Sequence, residues 1–133
     1  MPWYAGKTEI RDYLRELNRD GKVLEYCLFL PGLFTNYFTH PHKSAKYFNS
    51  FQTHIDFENR RALVLEGSDD DRITLTTAQD FAAVVARAVD YEGEWPVVGG
   101  MKGTEMTVSQ LLKIGEQVRG MYHRLAVRLR TMY

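Results

Sequence analysis

Tyr4 and Lys7, in the segment Trp3-Tyr-Ala-Gly-Lys7, stand three positions apart, a spacing that places a phenol and an ammonium on one side of a helix start. Hydride-transfer sites use such a pair, the phenol as proton donor and the lysine as anchor for a ribose or a carbonyl. A surface lysine beside a packed tyrosine is the commoner result of the same spacing. Pro31-Gly32-Leu33-Phe34 closes an apolar run, at the place outside the carboxyl ends of strands where open α/β sheets bind ligands. A plain strand-to-helix turn explains it equally well.

Other groups point to chemistry more weakly. Gly99-Gly100-Met101-Lys102-Gly103 fits neither the G-x-G-x-x-G pattern nor the P-loop, so it is expected to be a turn. His40, His42, His54 and Asp56 form no clean ligand set, and no metal is expected. The single cysteine, Cys27, lies in the apolar run EYCLFLPG, where a buried thiol is inert and no disulfide partner exists within the chain. No nucleophile elbow with an accompanying His and Asp is present, which leaves hydrolase chemistry without a foothold.

The elements that must carry these residues follow from periodicity. Ile10, Tyr13, Leu14 and Leu17 recur at helical spacing up to Asn18-Arg-Asp-Gly21, predicting a helix with one buried stripe. Val23 to Leu30 reads as the most buried strand, of the kind found in parallel sheets. An aromatic, irregular stretch from Leu33 to Phe57 follows, then strand candidates at Arg61 to Glu66 and Arg72 to Thr76. Thr77 with Asp80 and Thr107 with Gln110 have capping-box spacing ahead of helical stripes, and Trp95 to Val98 is a further strand candidate. The order predicts a single three-layer α/β domain over residues 1–133. In the tail, Val118, Tyr122, Leu125, Leu129 and Met132 continue the stripe of the last helix, with Arg119, His123, Arg124, Arg128 and Arg130 on its remaining surface.

Seventeen basic residues balance seventeen acidic ones, so no net field attracts phosphate backbones or anionic lipid, and no nucleic-acid or membrane partner is expected. No basic start leads into a long apolar stretch, and the cysteine usage fits a reducing compartment, so the expected location is the cytoplasm.

Taken together, WYAGKTEIRDYLRELN, EYCLFLPGLFTNYF, DFENRRALVLEG, TTAQDFAAVVARAVDYEGEWPVVGG and TVSQLLKIGEQVRG resemble the NmrA-like proteins of the isoflavone-reductase group, which are atypical short-chain dehydrogenases. The resemblance runs from Trp3 to Gly120 and covers the later part of that family's domain, as in a truncated member. It implies a partial Rossmann-like fold lacking the N-terminal dinucleotide-binding strands and their glycine-rich fingerprint. The cofactor so implied is NADP, with Lys7 as the lysine beside the nicotinamide ribose and Tyr4 as its catalytic companion. The superfamily spaces the two as Y-x-x-x-K, so Tyr4, one residue nearer, is turned about 100° around the helix. By the same resemblance Pro31, Gly32 and Leu33 line the nicotinamide end, and Phe34, Tyr37 and Phe38 begin the wall of a substrate pocket. The family's closing segment has no counterpart in residues 121–133, a divergent basic tail.

Three functions compete on these residues. The first is a fragment of an NADP-dependent oxidoreductase acting on a small aromatic or polycyclic carbonyl or enone, inactive alone. The second is a non-catalytic module that senses a dinucleotide. The third is an isomerase or cyclase that uses the aromatic pocket without redox chemistry. A sheet without its neighbouring strands exposes an apolar edge, so a second copy or a partner chain is expected there.

Overall fold

The computed structural model describes residues 4–120 and 123–127. Its class is mixed α/β, with three α-helices and sheets of two, three and three strands among the described residues. The chain divides into two compact units, Met1–Phe29 with Tyr91–Gly99, and Leu30–Asp90 with Gly100–Tyr133. No helix among the described residues is long and apolar enough to cross a membrane.

The first unit carries helix α1 (Ala5–Leu17) and most of strands β1 (Leu28–Leu30) and β6 (Val98–Gly100), which pair with each other. The expected stripe on α1 is present but open: Ile10 and Tyr13 are exposed, Leu14 and Leu17 half-buried, and no residue of the helix is fully buried. One helix and two short strands supply too little surface to cover it. The expected buried strand from Val23 to Leu30 is corrected as well, since only Leu28–Leu30 is extended in a sheet and Val23 is 72% exposed. The cause is Asn18. Its Oδ1 accepts from the Val23 and Leu24 amides at 3.0 Å each, and its Nδ2 donates to the Leu24 carbonyl at 2.7 Å. Those backbone groups are thereby withdrawn from a strand ladder. Further along, the Trp95 amide donates to Glu25 at 2.6 Å; with the Lys22 ammonium, this bond holds the Glu25 carboxyl below its ordinary range. The strand expected at Trp95 to Val98 begins only at Val98 and runs on through Gly99 and Gly100. A side chain at Gly99 would meet the Cys27 sulfur, which is half-buried.

The second unit holds the core: Ile55, Ala62, Val64, Leu75, Leu111 and Leu112. Strand β4 (Arg61–Leu65) alternates strictly, with Ala62 and Val64 turned in and Arg61, Leu63 and Leu65 exposed, as the two-residue repeat of a strand requires. It pairs antiparallel with β3 (Ile55–Asp56) and parallel with β8 (His123–Val127). In the other sheet β5 (Arg72–Thr76) is central, parallel to β2 (Leu33–Phe34) and antiparallel to β7 (Thr104–Thr107).

Both capped helices start where the sequence places them. In α2 (Ala78–Ala88) the Thr77 hydroxyl accepts from the Asp80 amide at 3.0 Å and donates to the Asp80 carboxylate at 2.7 Å. In α3 (Val108–Arg119) the box is reciprocal, because the longer Gln110 side chain reaches back to the Thr107 amide at 2.9 Å. The expected continuation of this last helix is overturned. Gly120, at φ 89°, ends α3 with its amide on the Glu116 carbonyl, and Leu125 lies instead in strand β8. Glycine adopts that left-handed backbone without strain and so stops a helix. Tyr122, Arg128, Leu129, Arg130 and Met132 lie outside the described residues.

Candidate functional site

Tyr4 and Lys7 belong to the first unit. Tyr4 is the residue just before α1, with its carbonyl accepting from the Thr8 hydroxyl at 3.1 Å, and Lys7 stands in the first turn. The Lys7 ammonium lies 5.4 Å from the centroid of the Tyr4 ring, a cation–π arrangement over the ring face. Both side chains are exposed.

Pro31, Gly32, Leu33, Phe34, Tyr37 and Phe38 belong to the second unit. Gly32 takes φ +72°, and a Cβ there would lie 2.3 Å from the Thr74 carbonyl oxygen. The turn therefore passes directly over the backbone of β5, an approach only glycine permits. Thr76, 1% exposed, holds it: its hydroxyl donates to the Pro31 carbonyl at 2.7 Å and accepts from the Gly103 amide at 3.3 Å. The Pro31 turn and Gly103, distant in sequence, thus meet across Thr76. Between them Gly32, Thr74, Gly100, Met101 and Lys102 border an open recess of about 410 Å³.

Beyond the turn, a 3-10 helix (Thr35–Thr39) is fixed by Asn36, which is buried. Its Nδ2 donates to the Ser44 hydroxyl at 2.9 Å and to Gln79 at 3.1 Å, and its Oδ1 accepts from the Ala78 amide at 2.7 Å. A buried amide with partners at both ends is the condition for keeping a polar side chain inside. This anchoring separates the expected pocket residues. Phe34 packs against Tyr37, Phe48 and Phe81, and Tyr37 against Phe48 and Phe51, with ring centroids 4.5 to 6.2 Å apart. Phe38 turns away from that cluster and meets Phe57 edge to face at 5.1 Å.

Phe38 and Phe57 open onto a cleft of about 510 Å³ against Leu111, Ile114, Gly115 and Val118 of α3. Its rim carries His40, His42, Glu58 and Arg119, where the Arg119 Nη2 donates to Glu58 Oε2 at 2.8 Å. The His42 Nε2 is 4.0 Å from the same oxygen. Glu58 and Arg119, 61 positions apart, carry no pattern that sequence reading could have joined. Asn36 has a faint signal, a lone amide among Phe34, Tyr37 and Phe38.

The loosely grouped histidines do not converge. His40 Nδ1 sits 3.4 Å from the Ser50 hydroxyl, His54 borders a separate cleft of about 440 Å³ with Leu63 and Leu65, and Asp56 is taken up by protein donors. Among the described residues no three His, Cys, Asp or Glu side chains gather as a metal site. Asp56 is 6% exposed and accepts from the Gln52 amide, from the Asn59 backbone and side chain, and from Arg61 Nε. Burial pushes its carboxyl up, but the Asn59 bonds and the Arg61 guanidinium outweigh that and leave it below the usual carboxylate range.

A dinucleotide needs backbone amides at a helix start for its pyrophosphate. In the second unit five of those amides already have partners: Ala78 has Asn36, Asp80 has Thr77, Val108 the Asp71 carbonyl, Ser109 the Asp69 carbonyl and Gln110 has Thr107. These five amides are not offered to a pyrophosphate. No family model, curated protein or solved structure matches the chain.

Proposed function

We propose that this chain is the substrate-side part of an NmrA-like, isoflavone-reductase-like oxidoreductase of Rossmann-like fold. It holds a small aromatic or polycyclic carbonyl or enone, and alone it does not turn over NADP. The observation that carries the reading is the Pro31-Gly32-Leu33 turn, pressed onto β5 by a glycine that no other residue could replace and followed by aromatic residues, with Phe34 in a ring cluster and Phe38 on the α3 cleft. The resemblance assigns this turn to the nicotinamide end and the aromatic segment to the substrate. The Gly32 recess is large enough for a single ring, and the Phe38 cleft, with its apolar floor and few polar groups, is of the size small molecules occupy, roughly 300 to 1,000 Å³.

The partnered amides at the helix starts support the second half of the proposal. Contacts confined to the nicotinamide end must offset roughly 4 kcal/mol or more of lost ligand freedom, so the dinucleotide binds weakly or not at all. Calorimetric titration with trans-chalcone, an aromatic enone, and with NADPH tests this. The expected result is heat from chalcone that Val118→Glu abolishes, and none from NADPH at micromolar concentration. Micromolar NADPH affinity that Lys7→Ala removes would overturn it.

A second reading, a non-catalytic sensing module, is favoured by the position of Lys7 over the face of the Tyr4 ring. A proton-donating phenol needs the ammonium near its hydroxyl. NADPH binding in the calorimetric titration, without oxidation of NADPH in the presence of chalcone, would select this reading over the first.

A further inference from the structure

Two apolar faces of this chain lack a cover, one on a helix and one on a sheet. The helix face is the stripe of α1, where Ile10 and Tyr13 are exposed and Leu14 and Leu17 half-buried. The sheet face belongs to β4. Ala62 and Val64 turn into the core, and the opposite side of the strand presents Leu63 and Leu65, 49% and 45% exposed, at the cleft of about 440 Å³ that Ile55 and Val108 also line. A strand face turned to water ordinarily carries polar side chains, and strands paired in parallel, as β4 and β8 are, are ordinarily covered on both sides by helices. The dimensions of the two faces agree: the 13 residues of α1 make a rod about 20 Å long, and the five of β4 span about 17 Å.

Their charges are complementary. Lys7 and Arg11 stand one turn apart along one flank of the α1 stripe, and Glu9 and Glu16 take the other flank. Beyond β4 the chain turns through Asp69, Asp70 and Asp71, and Asp71 borders the cleft. Among the described residues the side chains of Arg11, Asp70 and Asp71 make no hydrogen bond or ion pair, and the Lys7 ammonium meets the Tyr4 ring rather than a carboxylate. A helix laid antiparallel to β4 brings its Lys7 end over that acidic turn.

We propose that the chain forms a two-fold dimer in which α1 of each copy lies on the β4 face of the other. The body that the sheet face lacks, an apolar-striped helix with a basic flank, is the one that this chain itself leaves uncovered. A stable interface removes roughly 800 Å² from each partner. A helix about 20 Å long and 10 Å across covers less than that in a single contact, and a reciprocal exchange makes the contact twice. The dimer is independent of the ligand and dinucleotide readings above.

Sedimentation velocity on the intact chain, from micromolar to near-millimolar concentration, tests it, and the expected result is a shift from monomer to dimer. Ile10→Glu and Leu65→Glu each put a charge into an apolar contact, and each should weaken the dimer about a hundred-fold or more. Lys7→Glu with Arg11→Glu, or Asp70→Lys with Asp71→Lys, should weaken it about ten-fold. All four charge reversals in one chain should restore the affinity of the parent. The six substituted residues are exposed, so the variants are expected to keep the circular dichroism of the parent. A chain that stays monomeric throughout would overturn the dimer, and growth beyond the dimer would overturn its two-fold closure. Association that responds to only one of Ile10→Glu and Leu65→Glu, or to neither, would overturn the exchange of α1 onto β4. So would failure of the fourfold reversal to recover it.

Discussion

Removing the Asp56 carboxylate tests how the second unit is held together. Asp56→Asn keeps the shape but turns an acceptor of four hydrogen bonds into a group that presents N–H where donors already converge, from Gln52 at 2.7 Å, Arg61 at 2.8 Å, and Asn59 at 2.9 and 3.1 Å. Hydrogen bonds to a charged acceptor contribute about 1.5 to 3 kcal/mol each, and four of them taken singly would exceed the whole stability of many domains. They do not add. Gln52, Asn59 and Arg61 are exposed and regain water when the carboxylate is gone, so the expected loss is about 2 to 4 kcal/mol. With a urea slope of about 1.5 kcal/mol per molar, the midpoint falls by about 2 M.

The effect must also depend on pH in one direction. The folded Asp56 carboxyl lies below its ordinary value. Its contribution is therefore complete above the unfolded value, about 3.9, and is lost as pH falls through the depressed folded one. The gap between parent and Asp56→Asn should be constant from pH 7 to about 5 and shrink steadily below about 4. Urea titrations at pH 7, 5 and 3.5 measure it. A midpoint shift under about 0.3 M at pH 7, or a gap that widens in acid, would refute the account of this carboxylate.

Three further outcomes follow from the same structure. Gly32→Ala puts a Cβ against the Thr74 carbonyl at a left-handed φ and should destabilise by about 2 kcal/mol or more, read as a fall in the urea midpoint. An unchanged midpoint would mean the turn does not lie on β5. Thr107→Ala removes the cap of α3 and should lower stability by about 1 kcal/mol, seen as a drop of several degrees in thermal unfolding; Thr77→Ala should act similarly on α2. Ala126→Pro, in the strand paired with Val64 of β4, should destabilise through the lost ladder bond; in a helix continuing from α3 it would instead reduce helical ellipticity, so circular dichroism separates the two.

The sequence by itself determined what local chemistry can encode. Thr77 and Thr107 mark helix starts because a hydroxyl and a short reach to the third amide are all that a cap requires. The alternation in Arg61 to Leu65 places Ala62 and Val64 inside because a strand turns every second side chain the same way. The turn at Pro31-Gly32 was equally legible. Tertiary structure decided the rest, where distant groups compete for the same backbone or the same space. Val23 to Leu30 has the composition of a buried strand, yet the Asn18 side chain captures the amides of Val23 and Leu24. The apolar stripe after Val118 reads as helix, yet Gly120 turns left-handed and a free edge of β4 is there to be paired in parallel, so Leu125 enters a sheet. Phe34, Tyr37 and Phe38 read as one wall, but the buried Asn36 between them is tied to α2 through Gln79 and Ala78, and that tie sends Phe38 to the α3 cleft and its neighbours to the ring cluster. Glu58 and Arg119 meet at the rim of that cleft only because β4 and α3 pack on one core; periodicity records which face a residue takes, and nothing in it records which face of another element lies opposite.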